Sequence, residues 1–428
     1  MNARATLALL AVLSLPFAAP VPATAAALCD STTKGLIPLT ELAAGMYFGE
    51  PGGLYPGGVN APPAGHLAEG LALASTITAL DTLGVPATNG RIVLLSIGMS
   101  NTTQEYSTFV PLANASPLKN PRVLLVDGAQ GGQTAAVFAN PNANAWSVID
   151  TRLHNMGVRA PQVQAVWLKE ANAGPTQGFP GAAQILRDDL RAVVQNLRAK
   201  FPNAKLCYLS SRIYAGYASS ALNPEPYAYE SAFSVRWLIE EQLNGSPALN
   251  HDSAAGPVMA PWLAWGPYLW GDGLVPRVAD GLTWECADFS TSDGTHPAET
   301  GRAKVADMLL DFFTSDPTAA PWFTTASVGV EPGVGVRSGV ALRIAAVWPN
   351  PARGVLFAQV VAARAMTARF DLVTVDGRVA RRLPDVELAA GPNTLRWTEL
   401  SGGLASGVYF LRVEAGGAVT RRGIVFLR

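Results

Sequence analysis

Two distant segments of the chain contain residues that could perform nucleophilic catalysis. Ser100 stands in the motif Gly-Met-Ser-Asn, directly after the apolar run Ile92–Ile97, and the end of a strand in an α/β sheet is a common place for a site. Much later, Asp293 precedes His296 by three residues in the motif Asp-Gly-Thr-His-Pro. A carboxylate at that spacing can hold the imidazole Nδ1, which leaves Nε2 free to accept a proton from a serine hydroxyl. The spacing predicts that Asp293 and His296 form an acid–base pair, for which Ser100 is a candidate nucleophile. Taken alone, a serine directly after a strand is typical of a turn or a helix cap.

A metal site is the competing interpretation of the Asp-x-x-His motif. The chain has four histidines, and none of His66, His154 and His251 has an aspartate at this spacing. A metal ion would require further histidine or carboxylate ligands close by, and no such cluster is evident near residue 293. We therefore expect a mechanism without a metal or an organic cofactor.

Acyl transfer also needs hydrogen-bond donors for the developing oxyanion. Gly132 lies in a Gly-Gly-Gln-Thr segment after the apolar run Val123–Val126, and Asn172 follows the run Val163–Leu168. Glycine lets a backbone N–H group approach a ligand closely, and asparagine offers a side-chain amide. Taken alone, the glycine pair is typical of a turn and the asparagine of a loop.

The elements around these motifs alternate between short apolar runs and helical patterns. The predicted strands are Ile92–Ile97, Val123–Val126, Val163–Leu168 and Leu206–Leu209. The clearest predicted helices are Ala182–Lys200, Ser231–Leu243 and Glu299–Phe313. Uninterrupted short apolar runs indicate strands buried on both faces. The alternation predicts an α/β three-layer sandwich with a mostly parallel sheet, whose site lies beyond the carboxyl ends of the strands.

The order of these motifs resembles that of the SGNH/GDSL hydrolase superfamily, which has flavodoxin-like topology. Serine, glycine and asparagine follow three successive strands, and Asp-x-x-His comes last. The resemblance implies that Ser100 is the nucleophile, with His296 as base and Asp293 as acid. It also implies an oxyanion hole formed by the N–H groups of Ser100 and Gly132 and by the side chain of Asn172.

The resemblance extends from about residue 91 to residue 313, within a predicted hydrolase domain at 28–323, and it has two departures. Met99 replaces the usual aspartate before the serine, so that Gly-Met-Ser-Asn is closer to the Gly-Gln-Ser-Asn of sialate and carbohydrate acetylesterases. The segment Glu-Ala-Asn-Ala at 170–173 lacks the usual glycine and aspartate beside the asparagine. No Gly-x-Ser-x-Gly motif occurs, which argues against an α/β-hydrolase.

Substrate contacts are predicted next to these motifs. The candidates are Asn101, Gln133, Glu170, Trp265 and Trp270. The two tryptophans belong to an aromatic segment interrupted by glycine and proline, which we expect to be a loop. Its aromatic rings have two interpretations: a surface that stacks on sugar rings or an acyl group, or core packing beneath a long loop.

Composition and the N-terminus indicate an exported protein. The net charge of the 428 residues is −1, and no basic stripe appears, so nucleic acid is not an expected partner. Residues 1–27 have a positive start, the apolar run Leu7–Phe17 and small residues at 23–27, which predicts a signal peptide. No later segment is apolar enough to span a membrane. We expect a secreted or cell-surface protein.

Three cysteines fit an oxidising location. Cys29, Cys207 and Cys286 allow three pairings or a fully reduced state, and the sequence alone does not choose among them. We favour Cys207–Cys286 as a hypothesis, because that bridge would tether the segment before Asp293 to a core strand.

The chain changes character after a predicted linker at 324–340. Short strands with Gly or Pro turns replace helical patterns, which predicts a small all-β immunoglobulin-like sandwich at 341–428. Trp-Pro-Asn-Pro at 348–351 and Gly-Val-Tyr-Phe at 407–410 resemble the C-terminal sorting domains of type IX secretion. The resemblance implies that the secretion machinery is a partner. A stabilising or carbohydrate-binding module is the alternative.

Together these observations predict a secreted serine esterase that acts on an ester substrate, specifically an acylated carbohydrate, as an O-acetylesterase. A lipase or phospholipase with the same chemistry is one alternative. A non-catalytic surface carbohydrate-binding protein on the same scaffold is the other, because the segment around Asn172 departs from the family pattern.

Overall fold

The computed structural model describes residues 27–325 and most of 342–426. In the second part it describes residues 342–348, 352, 354–362, 364–374, 378–398, 400, 404–405, 407–416 and 418–426. The predicted signal peptide therefore lies outside the described residues except for Ala27. The predicted linker lies outside them except for Thr324 and Thr325.

The secondary structure divides the chain into an α/β part and an all-β part. The α-helices are α1 (Leu39–Leu42), α2 (Ala64–Ser75), α3 (Ser100–Ala115), α4 (Ala135–Ala139), α5 (Asn144–Asn155), α6 (Gly181–Lys200), α7 (Tyr227–Leu243), α8 (Glu299–Ser315) and α9 (Ala320–Phe323). The strands of the first part are β1 (Met46–Tyr47), β2 (Glu50–Pro51), β3 (Ile92–Gly98), β4 (Val123–Asp127), β5 (Val163–Lys169), β6 (Leu206–Leu209) and β7 (Trp262–Trp265). Those of the second part are β8 (Leu342–Trp348), β9 (Leu356–Ala362), β10 (Met366–Thr374), β11 (Val379–Leu388), β12 (Gly391–Trp397), β13 (Gly407–Ala415) and β14 (Ala418–Phe426).

The central sheet is parallel, with the strand order β4-β3-β5-β6-β7. Every residue of β3, β5, β6 and β7 is buried, as expected for strands covered on both faces. The predicted α/β fold is confirmed, and the four predicted strands agree with the observed ones to within one residue. After β3, the chain adds β4 on one side of it and then β5 on the other side. The carboxyl ends of β3 and β5 therefore flank a topological switch point, where sites usually lie.

The aromatic segment predicted as a loop instead begins with a fifth strand, β7, at the edge of the sheet. Four residues between Pro261 and Gly266 are too few to show a strand pattern in the sequence. The Gly- and Pro-rich segment 49–63 covers this edge. The indole N–H of Trp265 donates to the carbonyl of Leu54 at 2.6 Å, and its backbone N–H donates to the hydroxyl of Tyr55 at 3.3 Å. The edge is thereby protected from pairing with another chain.

The helices pack in two groups. Helix α3 packs against α8, whereas α6 packs against both α4 and α7. The sequence predicted α6 clearly because apolar residues recur there at helical spacing. Six of its apolar residues are buried, namely Ala183, Leu186, Leu190, Val193, Val194 and Leu197. The contact between α3 and α8 matters for function, because Ser100 begins α3 and His296 lies just before α8.

The second part consists of two antiparallel sheets, ordered β11-β10-β13-β14 and β12-β9-β8. Apolar residues from both sheets form one cluster, so the predicted all-β sandwich is confirmed. Strand β11 escaped prediction because its charged residues do not alternate regularly with its apolar ones and because it contains Pro384. As an edge strand it tolerates the missing N–H group. The motif Gly-Val-Tyr-Phe opens β13, whereas residues 349–351 lie outside the described part of the chain.

The predicted Cys207–Cys286 disulfide is wrong. Cys286 is bonded to Cys29, with 5.3 Å between their Cα atoms, and Cys207 is a free, buried thiol. Cys207 lies inside β6 between two other strands, where burial raises the pKa of its thiol well above the ordinary value. The N-terminal segment, rather than β6, lies beside Cys286. Two backbone hydrogen bonds hold it there: the N–H of Ala27 donates to the carbonyl of Thr291, and the N–H of Leu28 donates to that of Tyr217.

The bridge joins residues 257 positions apart, so its loss should destabilise the fold. The variant Cys286→Ser is expected to lower the free energy of unfolding by about 2–4 kcal/mol, because a long closed loop restricts the unfolded chain. Urea titration measures the change. The double variant Cys29→Ser/Cys286→Ser should lose no more than the single one. Wild-type protein whose unfolding free energy is the same with and without dithiothreitol would contradict the prediction.

Candidate active site

The structure brings together the three residues of the predicted triad. The hydroxyl Oγ of Ser100 lies 2.8 Å from Nε2 of His296. On the other side of the ring, Nδ1 of His296 lies 2.5 Å from Oδ2 of Asp293. The histidine and aspartate side chains are about a quarter exposed, 26% and 24% respectively. The hydroxyl therefore faces the imidazole edge that is free of the carboxylate, at a site open to solvent.

Ser100 owes its position to a sharp turn between β3 and α3. Gly98 ends the strand, Met99 is extended, and the helix begins at Ser100 itself. A side chain at position 98 would collide with Thr102 and with the carbonyl of Lys169, so only glycine allows α3 to start this close to the sheet. The N–H groups of a first helical turn have no intrahelical acceptor, and that of Ser100 belongs to this turn.

A second turn holds the acid and the base. Oδ1 of Asp293 accepts the backbone N–H groups of Thr295 at 2.9 Å and His296 at 3.1 Å. Gly294 has a φ of +59°, and a side chain there would collide with the carbonyl of Tyr217. Partial burial alone would raise the pKa of Asp293, but the hydrogen bonds from His296 and Thr295 outweigh it, so the pKa lies below its ordinary value. The carboxylate is ionised at neutral pH.

Asn101 joins the two turns and does not face a substrate. Its side chain is 2% exposed, and its amide Nδ2 donates to the carbonyl of Thr295 at 2.9 Å. The sequence interpretation of Asn101 as a substrate contact is therefore corrected: it fixes the His296 turn against the first residues of α3. Sequence position alone could not show this, since the two partners lie 194 residues apart.

Glycines lie beside the nucleophile. The Cβ atom of Ser100 lies 3.9 Å from the position that a side chain at Gly131 would take, and Gly132 is exposed with a φ of +75°. The backbone N–H of Gln130 donates to the carbonyl of Gly98 at 2.8 Å, which holds this loop at the end of β3. Gln133 is half-buried and follows in the same loop. The N–H group of Gly132 therefore belongs to a loop that lies beside Ser100.

Asn172 follows β5 as predicted, but its side chain is engaged. Oδ1 accepts the backbone N–H of Ala136 at 3.0 Å, and Nδ2 donates to Oδ2 of Asp189 at 2.6 Å. One of the two amide hydrogens is thereby used. A role in an oxyanion hole would require the second hydrogen.

Three other predicted substrate contacts lie in the core. Glu170 is 3% exposed, and burial raises its pKa well above the ordinary value. Trp265 is 5% exposed, and Trp270 is fully buried with its indole N–H donating to Glu225 at 2.8 Å. Neither ring offers a face to a ligand. The assignment of these residues as substrate contacts is corrected, because Glu170, Trp265 in strand β7 and Trp270 are all buried.

Sequence reasoning missed a buried ion pair beneath the nucleophile. Nζ of Lys169, at the end of β5, lies 2.6 Å and 2.5 Å from the two carboxylate oxygens of Glu105 in α3. Both side chains are at most 1% exposed, and the guanidinium of Arg212 is buried nearby. Burial lowers the pKa of Lys169 to about 8, against the opposing effect of Glu105. Together with the bond from Thr102 to the carbonyl of Lys169 at 2.7 Å, the pair joins α3 to the sheet.

A cleft of about 750 Å³ is lined by Asp293 and His296 of the triad, whereas Ser100 is not among its lining residues. Its lining includes Gln104, Phe289, Ser290, Ser292, His296 and Arg302. A larger cavity of about 960 Å³ lies between α2 and the end of α7, and its lining includes His66 and His251 but no triad residue. Within the described residues, no group of three or more His, Cys, Asp or Glu side chains is placed to hold a metal ion. The cleft at His296 is therefore the candidate binding site.

None of the helices in the described parts of the chain has both the length and the hydropathy that a membrane span requires.

No family model matches the chain, and no curated protein matches it. Among solved structures, the chain is similar to a gut microbial diltiazem-metabolizing enzyme at 13% identity, over 71% of this chain and 62% of the other, with a TM-score of 0.31.

Two further structures are similarly distant. The protein YxiM of Bacillus subtilis aligns at 16% identity over 54% of this chain and 57% of its own, with a TM-score of 0.29. The periplasmic domain of a lipopolysaccharide acetyltransferase from Salmonella ser. Paratyphi A aligns at 14% identity over 58% and 93%, with a TM-score of 0.28. This chain spans less than two thirds of the first two structures. Such low TM-scores do not establish a shared activity. Its own fold and site define the chain as an α/β protein with a Ser-His-Asp arrangement at the carboxyl edge of a parallel sheet.

Proposed function

We propose that the protein is a serine esterase that hydrolyses esters by two-step acyl transfer. The observation that supports this most directly is the 2.8 Å distance between Oγ of Ser100 and Nε2 of His296, with Asp293 on the opposite ring nitrogen. A hydroxyl, a base and an orienting carboxylate in this order form the arrangement that activates a serine nucleophile. The ordered Ser, Gly, Asn and Asp-x-x-His motifs of the sequence support the same proposal.

In the first step, His296 removes the proton of Ser100 while Oγ bonds to the ester carbonyl carbon. The resulting oxyanion accepts hydrogen bonds from the N–H groups of Ser100 and Gly132, with the free amide hydrogen of Asn172 as the third donor. The tetrahedral intermediate collapses to an acyl-serine as His296 gives its proton to the leaving alcohol. Water then attacks the acyl group, His296 takes a proton from that water, and collapse releases the acid and restores the hydroxyl.

The lining of the cleft favours a carbohydrate ester with a small acyl group. Hydroxyl side chains dominate the wall beside the acid, with Ser290, Thr291 and Ser292 in sequence, and Gln104 adds an amide on the opposite helix. These groups can hydrogen-bond sugar hydroxyls. An acyl chain of a lipid would require a long apolar groove, and Phe289 is the one aromatic residue that lines the cleft. We therefore propose an O-acetylesterase acting on an acylated carbohydrate.

A series of 4-nitrophenyl esters tests this proposal. We expect kcat/KM to be highest for the acetate and to fall steadily toward the palmitate, because the cleft provides no long apolar surface. A rise toward the palmitate would instead identify a lipase. If the protein bound sugars but neither hydrolysed the acetate nor reacted with a fluorophosphonate probe, the non-catalytic alternative would hold.

Export remains a prediction from the sequence. We propose that residues 1–27 direct the chain out of the cytoplasm and that the β-sandwich at 341–428 serves sorting or attachment. The Cys29–Cys286 disulfide supports an oxidising destination.

A further inference from the structure

Asp189 is a half-buried carboxylate on α6 whose partner is an amide rather than a cation. Its Oδ2 atom accepts a hydrogen bond from Nδ2 of Asn172 at 2.6 Å. Within the described part of the chain, that amide is its only hydrogen-bond donor, and no cation pairs with it. Burial raises the pKa of Asp189 above its ordinary value, against the opposing effect of this hydrogen bond. Desolvating a carboxylate without a cation is unfavourable, so ion pairing does not account for its inward position.

The neighbouring carboxylate on the same helix shows the more usual arrangement. Asp188 is exposed and pairs with the guanidinium groups of Arg187 at 2.7 Å and Arg191 at 3.0 Å. Two adjacent aspartates on α6 therefore have different surroundings, because one lies among cations at the surface and the other faces the loop after β5. Asp188 thereby provides a matched control for any effect of Asp189.

The two partners of the Asn172 side chain determine which way its amide faces. The backbone N–H of Ala136 is a donor, so it requires the oxygen Oδ1, which lies 3.0 Å away. The carboxylate of Asp189 is an acceptor, so it requires the nitrogen Nδ2. Rotating the amide by half a turn would place two donors together at one end and two acceptors together at the other. The amide is therefore held in one orientation, with one hydrogen on Nδ2 left over.

The oxygen end of the same amide connects Asn172 to the loop of Gly132. Ala136 lies in the first turn of α4, which follows that loop, and the N–H groups of a first helical turn need acceptors from outside the helix. Beside it, the N–H of Ala135 donates to the carbonyl of Ala171 at 3.1 Å. Two adjacent hydrogen bonds thus join the two segments that contain proposed oxyanion donors.

We propose that Asp189 is a positioning residue for the oxyanion hole, because it holds one amide hydrogen of Asn172 and so directs the other toward the oxyanion. This inference rests on the proposed function and adds a residue to it that acts through Asn172. Both steps of the reaction form an oxyanion, so a misplaced amide slows acylation and deacylation together. An interaction that exists only in the transition state changes kcat and leaves KM nearly constant.

Steady-state kinetics with 4-nitrophenyl acetate test the inference. Asp189→Ala is expected to lower kcat by about 10- to 100-fold, up to the loss caused by removing a donor outright, and to keep KM within about 2-fold. Asp189→Asn retains an oxygen that can accept from Nδ2, so kcat should stay within about 3-fold of wild type. Asp188→Ala, the matched control, removes an exposed ion-pair partner and should leave both constants unchanged.

A double-mutant cycle with Asn172→Ala distinguishes positioning from a general effect on the fold. In this background, Asp189→Ala should lower kcat by less than about 2-fold, because the amide through which it acts is gone. Losses that multiply in the double variant would overturn the inference, since Asp189 would then act on the fold and not through Asn172. Should Asp189→Ala fail to fold, Asp189→Leu, an apolar residue of similar shape, takes its place with the same expected result.

A measurement without catalysis separates this inference from the esterase proposal. In protein labelled with ¹⁵N at asparagine, the side-chain amide of Asn172 is assigned by its absence in Asn172→Ala. Its proton shifts should move in Asp189→Ala and stay in place in Asp188→Ala. If the acetate is hydrolysed and Asp189→Ala keeps the wild-type kcat, the inference alone is overturned. If no ester is hydrolysed, the esterase proposal fails, and an amide signal that is the same in wild type and Asp189→Ala overturns the inference as well.

Discussion

Replacing Ser100 with alanine lowers kcat/KM for 4-nitrophenyl acetate by about 10⁴- to 10⁶-fold, because removal of a serine nucleophile abolishes the covalent route. The loss is large because the hydroxyl is the group that His296 contacts at 2.8 Å. Binding and the oxyanion donors remain, so a small residual rate over water is expected. Steady-state kinetics measure the loss, and mass spectrometry of the fluorophosphonate adduct should locate the label on Ser100.

The control for this variant is a second serine on the same helix. Ser107 is exposed on α3, and its hydroxyl lies 3.5 Å from Asp127. Ser107→Ala should keep the wild-type kcat/KM, and both variants should melt cooperatively. Equal rates for wild type and Ser100→Ala would remove Ser100 as the nucleophile, whatever the distances in the site.

Much of the α/β fold could be predicted because its strands and helices have strong local patterns. Runs such as Ile92–Gly98 are mostly apolar and are buried on both faces, and α6 repeats apolar residues at helical spacing. What escaped prediction depends on neighbours that are distant in sequence. Four residues of β7 become a strand because β6 lies beside them, and Pro384 is tolerated in β11 because that strand lies at an edge.

In the candidate site, too, local contacts could be predicted from the sequence and contacts between distant residues could not. Asp293 and His296 are three residues apart, so their contact follows from a local turn that the sequence shows. Cys29 and Cys286, or Glu105 and Lys169, meet only because the tertiary fold brings them together. Their pairing could not be deduced from spacing. Residue type alone also gave a wrong prediction for the two tryptophans. Trp265 and Trp270 are as suited to a core as to a sugar-binding surface, and in the structure both are buried in the core.

The residues around the nucleophile show why the two distant motifs meet with a defined geometry. Asn101 follows Ser100 directly and donates to the carbonyl of Thr295, which precedes His296 directly. A shift of α3 relative to the acid–base turn would break this buried hydrogen bond, leaving a polar group without a partner. The same contact that stabilises the packing of the turn on α3 therefore sets the distance across which the proton is transferred.

The second large effect is expected for Asp293→Asn, which should lower kcat by about 10⁴-fold. Asparagine retains an Oδ1 atom that can accept the N–H groups of Thr295 and His296, so the turn should persist. Its amide, however, presents N–H to Nδ1 of the ring, which favours the tautomer protonated at Nε2. That nitrogen then cannot accept the proton of Ser100. Steady-state kinetics measure the loss, and Asp150→Asn, an exposed aspartate on α5, is the matched control.

The acid dependence of stability provides a second measurement on the same variant. The pKa of Asp293 lies below its ordinary value in the folded protein, so its ionised form stabilises the fold. This contribution is complete above about pH 3.9, the pKa of an unperturbed aspartate, and is lost as the pH falls through the lower pKa of the folded state. Asparagine does not titrate, so the difference in unfolding free energy between wild type and Asp293→Asn should shrink as the pH is lowered through this range. A difference that stayed constant to pH 3 in urea titrations, together with wild-type kcat, would show that Asp293 neither pairs with His296 nor orients it.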